Sequence, residues 1–269
     1  MAAIPPFQIL PSTTSHKAEA LIPALEVFAR LGFTDLDLNL NHIVERQTDA
    51  AAVRAALHAN GQRVWIASGG WCDFFDEEPA IRQTMDSVDR QVALATELGV
   101  DRLRLFFGRM PYERWTPATR ATAAGNIARL ATRHPDITFV FENHDGASSN
   151  PDVCGAILED VGHANVRLTF DPINFEHRGV KTMDALRRLQ PLVGHVHLKG
   201  YAGGQFRGFG EGEVDLVPAL DALIGGGYRG GFTVEYEGAG DRTLRLYESV
   251  QRARAALAPL IRAHHNVTS

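Results

Sequence analysis

Apolar and polar positions along this chain follow two rhythms that replace one another from end to end. Short runs of β-forming residues occur near 7–10, 34–40, 63–68, 101–107, 137–143, 166–171, 193–199 and 231–236. Longer segments with helical spacing follow them, near 17–31, 49–60, 79–99, 117–133, 151–161, 181–189, 217–225 and 241–258. Residues 101–107 and 137–142 read as strands because apolar β-formers alternate with other types. In 79–98, Ile81, Met85, Val88, Val92 and Leu94 recur at mostly helical steps. Pro79, Pro117 and Pro151 mark helix starts, and Gly32 and Gly99 mark stops. Eight strand-then-helix units predict an α/β fold, a single closed (β/α)8 barrel over residues 1–263 with a flexible polar tail at 264–269. A doubly wound open sheet is the structural rival, but no GxGxxG follows the first strand.

Strand parity then sorts the side chains, because successive residues of a strand point to opposite faces. Phe139 and Phe141 oppose Thr138, Val140, Glu142 and His144; Leu168 and Phe170 oppose Arg167, Thr169 and Asp171. Val196 and Leu198 oppose His195, His197 and Lys199, while Phe232, Val234 and Tyr236 oppose Thr233, Glu235 and Glu237. Leu36, Leu38 and Leu40 likewise oppose Asp35, Asp37, Asn39 and Asn41. Helices surround such a barrel, so the large apolar set should face them and the polar set should point into the lumen. Low in the lumen, Asp35 or Asp37 is expected to pair with Arg102, Arg104 or Arg167, since unpaired buried charge is costly.

At the C-terminal ends of four adjacent strands the same parity places Glu142, Asp171, His197 and Glu235, on the barrel face where enzyme sites are found. Three carboxylates converging with one imidazole repel one another unless a cation neutralises them, and a divalent metal is the simplest such cation. The oxygen-rich set with one nitrogen suits Mn²⁺ or Mg²⁺, with Zn²⁺ or Co²⁺ left open.

Composition narrows the setting. The 269 residues carry 45% hydrophobic and 22% charged side chains, which excludes general disorder. A formal net charge of -5 gives no electrostatic case for nucleic acid as partner. Cys72 and Cys154 cannot build a disulfide framework and lie in no zinc motif. The absence of a signal-peptide pattern and of a long apolar run implies a soluble, cytoplasmic protein without a membrane partner. A homo-oligomer stays open.

Five motifs in order, Phe-Glu-Asn-His (141–144), Phe-Asp-Pro-Ile-Asn (170–174), His-Val-His-Leu-Lys (195–199), Gly-Glu-Gly-Glu-Val-Asp (210–215) and Val-Glu-Tyr-Glu (234–237), resemble the sugar phosphate isomerase/epimerase family. These are the xylose isomerase-like, or AP-endonuclease-2, TIM barrels, and the resemblance covers essentially the whole chain. It implies that Glu142, Asp171, His197 and Glu235 bind one divalent metal. It also implies that Glu142 and Glu235 act as acid and base on a small sugar-like or polyol-derived substrate, moving a proton next to its carbonyl. Ketose 3-epimerases of the family typically carry an acidic residue, a His and an Arg where this chain has Ser148, Asn174 and Gly203, which counts against a free-ketose 3-epimerase. Endonuclease IV relatives need a larger ligand set. Hydroxypyruvate-isomerase-like, inosose-dehydratase-like and 3-dehydroshikimate-dehydratase-like activities stay open, so a lyase is the enzymatic alternative and a non-catalytic sugar-binding barrel or subunit the other.

Around the four expected ligands, Lys199 is a candidate proton carrier, and Glu237 shares its geometry. His144, Asn174, Trp71 and Arg207 are candidate substrate contacts. Trp71, Phe74, Phe75 and Trp115 are expected in loops as a lid or stacking surface, with subunit packing as the other reading. His195 is expected one layer below His197 as a supporting or core histidine. The segment 210–215 reads either as a phosphate-facing turn or as a helix start capped by Asp215.

Overall fold

The computed structural model describes residues 7–265. Eight parallel strands form one sheet: β1 (Ile9–Pro11), β2 (Asp35–Asn39), β3 (Arg63–Ser68), β4 (Arg102–Phe106), β5 (Thr138–Glu142), β6 (Val166–Phe170), β7 (Val193–Leu198) and, late in the chain, Gly231–Val234. Between the last two lies a small antiparallel hairpin, β8 (Gly200–Ala202) and β9 (Gln205–Arg207), so Gly231–Val234 is β10. The order β1-β10-β7-β6-β5-β4-β3-β2 is curled until Ser12 bridges Asp37, which brings its two edges together as a (β/α)8 barrel. Every barrel strand lies within the span expected from the alternation except β1, which runs to Pro11.

The helices are α1 (Leu21–Arg30), α2 (Asn41–Val44), α3 (Ala50–Ala59), α4 (Ala80–Glu97), α5 (Pro117–Arg133), α6 (Pro151–Val161), α7 (Pro172–His177), α8 (Thr182–Leu189), α9 (Val217–Gly225) and α10 (Arg242–His265). Local chemistry fixes several starts. Thr116 accepts from Thr119 N in a capping box ahead of Pro117, and Asn150 accepts from Asp152 N ahead of Pro151. Gly162 ends α6 in a left-handed conformation at φ 62°. Two short helices, α2 and α7, and the hairpin were not expected; four to six residues are too few to show a helical period. In the other direction, α10 continues through Pro259 to His265, and His264 Nε2 lies 2.8 Å from Asp221 Oδ1. The expected tail therefore starts inside a helix, and its last four positions, 266–269, lie outside the described residues. No described helix is long and apolar enough to cross a membrane.

The parity reading places the outer core well. Leu36, Leu38, Phe139, Phe141, Leu168, Phe170, Val196, Leu198, Phe232 and Val234 are all buried in the layer between sheet and helices. Inside the barrel a separate plug of Leu10, Ile66 and Val140, flanked by Trp65, fills the lower lumen. Two register shifts shape this plug. Opposite Leu36 and Asp37 lie Val64 and Ile66, so Trp65 is the extra residue; opposite Leu168 and Thr169 lie Val193 and His195, so Gly194 is extra. A Cβ on Gly194 would stand 2.5 Å from that of Arg167, which explains the glycine there.

The expected lumen ion pairs are not formed. Asp35 pairs instead with Arg63 at 2.6 Å, and Arg102 with Asp101 at 2.8 Å, both near the barrel's lower rim. Arg167 reaches only the Pro191 carbonyl. Neighbours along the rim are within reach, whereas the plug fills the space across the lumen. Phe74 and Phe75 are also core residues, not lid residues: Phe74 packs edge-on to Phe141, and Phe75 edge-on to Trp115. Burying two phenyl rings is worth several kcal/mol, about 1.5–3 each, so the loop turns them inward.

Candidate metal centre and barrel mouth

Above the plug, the ends of β5, β6, β7 and β10 bring charged side chains together. Glu142 closes β5; Asp171 follows β6, where its Oδ1 caps α7 by accepting from Ile173 N and Asn174 N at 2.9 and 3.0 Å. His197 lies in β7, and Glu235 follows β10, held in line by a bond from its N–H to the Leu198 carbonyl at 3.0 Å. All four side chains are buried. Glu142, Asp171 and His197 offer ligand atoms within 4.8 Å of one another, a spacing that could hold a metal ion. Glu235 stands just outside that trio, with its Oε2 3.7 Å from Lys199 Nζ.

The donor set fits a divalent ion. Neither ring nitrogen of His197 has a hydrogen-bond partner, and Nδ1 lies 3.6 Å from Glu142 Oε1. Asp171 Oδ1 serves the helix cap, and Oδ2, which makes no hydrogen bond, is met by Lys199 as an ion pair. Among the described residues, Asp37, Glu142, Asp171, Glu235 and Glu237 face three permanent cations: Arg104, Lys199 and, at the cavity rim beside Glu237, Lys17. Arg104 Nε lies 3.3 Å from Glu142 Oε2, and Lys199 Nζ lies 3.1 Å from Asp171 Oδ2 and 2.8 Å from Glu237 Oε1. A net acidic, buried cluster with unpartnered donors is the arrangement a metal relieves.

The carboxylates are driven apart in acidity. Burial alone would raise Glu142, but His197 and Arg104 outweigh it and hold the group well below the usual range. Burial and the neighbouring Glu237 raise Glu235 to about 7, against the pull of Lys199 and His197. Burial would lower His197, yet Glu142, Glu235 and Asp37 together raise it to about 9. Lys199 is raised despite its burial, because Asp171, Glu237, Glu235 and Glu142 surround it.

A cavity of about 200 Å³ opens over this cluster, lined by Thr14, Lys17, Asn39, Asn41, Gly69, Gly70, Trp71, Arg104, Phe106, Glu142, His144, Glu235 and Glu237. Of the four expected ligands, only Glu142 and Glu235 border it. His144 lies at its wall, edge-on to Trp71 and Phe106, with Nδ1 3.2 Å from Asp145. Arg109 covers the Trp71 ring at 3.6 Å. Asn174 is not at the cavity surface; its Nδ2 donates to Glu142 Oε1 at 3.1 Å and to the Asn143 carbonyl at 3.0 Å, so it orients a carboxylate. Lys199 does not border the cavity either, and its ammonium lies against carboxylates and over Phe206 at 4.5 Å. Arg207 sits in the hairpin opposite Gly200 and does not line the cavity. Asp215 Oδ1 accepts from Val217 N at 3.0 Å, the capping alternative for that turn. A larger hollow of about 700 Å³ at the other end, lined by Trp65, Arg102 and Asp136 among others, contains none of the expected ligands.

Several members of the site were not singled out from the sequence as site residues. Asn143 exchanges two 2.8 Å hydrogen bonds with the backbone of Asp171, tying the ends of β5 and β6 together. Its place beside Glu142 in Phe-Glu-Asn-His was the available signal. Arg104 and Asp37 were expected in the lumen by parity, but as a lower ion pair. His195 is buried one step below His197, with Nε2 2.8 Å from Thr233 Oγ1 and its ring stacked on Trp65.

The fold and site together are a closed parallel barrel whose C-terminal mouth carries a buried acidic cluster and a histidine that could hold a metal ion. The chain belongs to the xylose isomerase-like TIM barrel family, whose sequence model matches residues 25–261. A human protein named "Putative hydroxypyruvate isomerase" is 26% identical over 180 residues, 58% of this chain and 61% of that protein's length. Among solved structures, an L-ribulose 3-epimerase superposes with a TM-score of 0.81 at 18% identity, covering 98% of this chain and 99% of that one. A xylose isomerase-like barrel from Mycobacterium smegmatis, solved in complex with magnesium, gives 0.78 at 18% identity over 97% and 100%. A probable 3-DHS dehydratase from Bacillus anthracis gives 0.75 at 14% identity over 92% and 98%. At these identities the structures speak for the fold.

Proposed function

We propose that this barrel is a divalent-metal-dependent isomerase that moves a proton next to the carbonyl of a small polyhydroxylated substrate. The observation that carries the reading is the division within the cluster: Glu142 and Glu235 border the cavity, while Asp171 and His197 lie behind them. Asp171, His197, Glu142 and Glu235 would hold the ion, with Mn²⁺ or Mg²⁺ matching the oxygen-rich donors. When bound, the ion supplies Lewis-acid polarisation of a substrate carbonyl.

The residues of the chain then divide the proton work. Glu142, kept ionised by His197 and Arg104 and oriented by Asn174, is free to accept a proton, as the weaker base of the pair. Glu235, raised to about 7, exchanges protons near neutrality and is suited to deliver one. Lys199 serves as the fixed counter-ion that keeps Asp171 and Glu237 in place, a supporting role instead of the proton transfer expected of it. The cavity is smaller than the roughly 300–1,000 Å³ of drug-sized sites, which favours a compact substrate.

A second reading is a lyase, favoured by one observation: His144 borders the same cavity and could protonate a departing hydroxide. Incubation of the Mn²⁺-loaded protein with small keto acids, ketoses and inososes in ²H₂O separates the readings. An isomerase gives a product of unchanged formula with deuterium at carbon, a lyase gives a product lighter by one water, and a pure binder gives no exchange.

A further inference from the structure

We propose that Asp37 is the positioning residue for the candidate ligand His197, fixing the tautomer that turns Nδ1 toward Glu142 and Asp171 with its lone pair free. The inference rests on the metal reading above and adds a residue that carries no ligand role.

The geometry is specific. Asp37 lies in β2, three strands around the barrel from β7, and is fully buried. One carboxylate oxygen is anchored: Ser68 Oγ donates to Oδ1 at 2.7 Å. The neighbouring Thr233 hydroxyl meets His195 Nε2 at 2.8 Å. The second oxygen, Oδ2, has no hydrogen-bond partner and faces His197 Nε2 at 3.7 Å. On the far side of the ring, Nδ1 faces Glu142 Oε1 at 3.6 Å. The imidazole is thus strung between one buried carboxylate, Asp37, and another, Glu142. A contraction of about an ångström on the lower side completes a hydrogen bond, because N–H···O pairs settle near 2.9 Å.

A neutral imidazole has one N–H and one lone pair. A carboxylate can only accept, so Asp37 assigns the proton to Nε2 and leaves Nδ1 as the donor atom. Partners of this kind orient metal-ligating histidines and raise their basicity. Asp37, His195 and His197 also offer ligand atoms within 4.8 Å, a spacing that could hold a second ion beneath the first. Each His197 nitrogen serves one side only. With Nε2 protonated, His197 has no lone pair to give the lower trio, which leaves that trio one donor short.

The test uses the full chain. Expected in the wild type are one Mn²⁺ per chain by calorimetry and, in ¹⁵N-histidine spectra of the Zn²⁺-loaded protein, a His197 ring protonated at Nε2 and metallated at Nδ1. Asp37→Asn keeps the size of the side chain and an oxygen for Ser68, but presents an amide N–H that competes for the wrong tautomer. Its Mn²⁺ affinity should fall 10- to 100-fold, with a circular dichroism spectrum like that of the wild type. Two ions per chain, a His197 metallated at Nε2, or a folded Asp37→Asn protein with unchanged affinity each overturn the proposal. A wild type that binds no divalent ion overturns the metal reading itself. If Asp37→Asn does not fold, the nitrogen assignment in the wild type decides alone.

Discussion

The lumen of this barrel contains two regions that differ in almost every physical respect although the same strands build both. In β3, Ile66 belongs to the plug and Ser68, two residues on, anchors a buried carboxylate. In β5, Val140 belongs to the plug and Glu142 faces a cavity. Two residues of strand advance about 6–7 Å, so one layer separates a dry apolar seal from a cluster of carboxylates. The lower region is an apolar plug with a hollow of about 700 Å³ beside Trp65, and on its rim Asp35 pairs with Arg63 and Asp101 with Arg102. The upper region leaves Asp171 Oδ2, Asp37 Oδ2 and both His197 nitrogens without hydrogen bonds. The contrast shows where the fold is stabilised and where it holds groups ready for a ligand.

The sharpest break of this contrast is chemical. Glu235→Gln should lower turnover by about 10²–10⁴-fold, measured as loss of deuterium exchange, with no fall in the melting temperature of the metal-free protein, because Gln mimics the protonated acid. Full activity in that variant would remove the role assigned to Glu235. The reciprocal change is Ile66→Ala in the plug, expected to destabilise by about 2–5 kcal/mol in urea unfolding while the folded fraction still binds Mn²⁺ normally. A stability loss below about 0.5 kcal/mol would mean the plug is not the seal described.

Acidity sharpens the comparison next. Glu235 is raised from 4.5 to about 7, and His197 from 6.5 to about 9, so the folded state holds both protons more tightly than the unfolded chain. Their stabilising contribution is present at low pH and is lost as pH rises, through about 4.5–7 for Glu235 and 6.5–9 for His197. Glu142, lowered, acts only below this window. The metal-free protein should therefore lose thermal stability from pH 5 to 9, whereas the melting-temperature gain on adding Mn²⁺ should grow, because the ion replaces those protons. A gain that shrinks with pH would contradict the ligand set. The smallest effect belongs to the lower rim: Arg63→Ala removes an exposed partner of Asp35 and should change stability by no more than about 1 kcal/mol and leave exchange activity alone.

The parts of the fold legible in the sequence are those that repeat. The strand alternation located every barrel strand, and its parity assigned Phe139 and Phe141 to the helices and Glu142 to the lumen. Irregular features escaped it. The extra residues Trp65 and Gly194 come from register shifts, which depend on a neighbouring strand. The aromatic pair Phe74–Phe75 looked like a lid because a loop sequence does not say which way it folds. Among the expected substrate contacts, the structure places His144 and Trp71 at the cavity, Asn174 behind Glu142, and Arg207 on the hairpin outside the cavity lining.

What the sequence determined by itself is the barrel and the set of strand ends that carry Glu142, Asp171, His197 and Glu235, because a period of two is a local property of the backbone. Only the tertiary structure decided which of these groups reach the cavity, that Lys199 is surrounded by carboxylates, and that Asp37 stands beneath His197. Those are distances between side chains on different strands, and they are set by how far the sheet curls and where its registers slip.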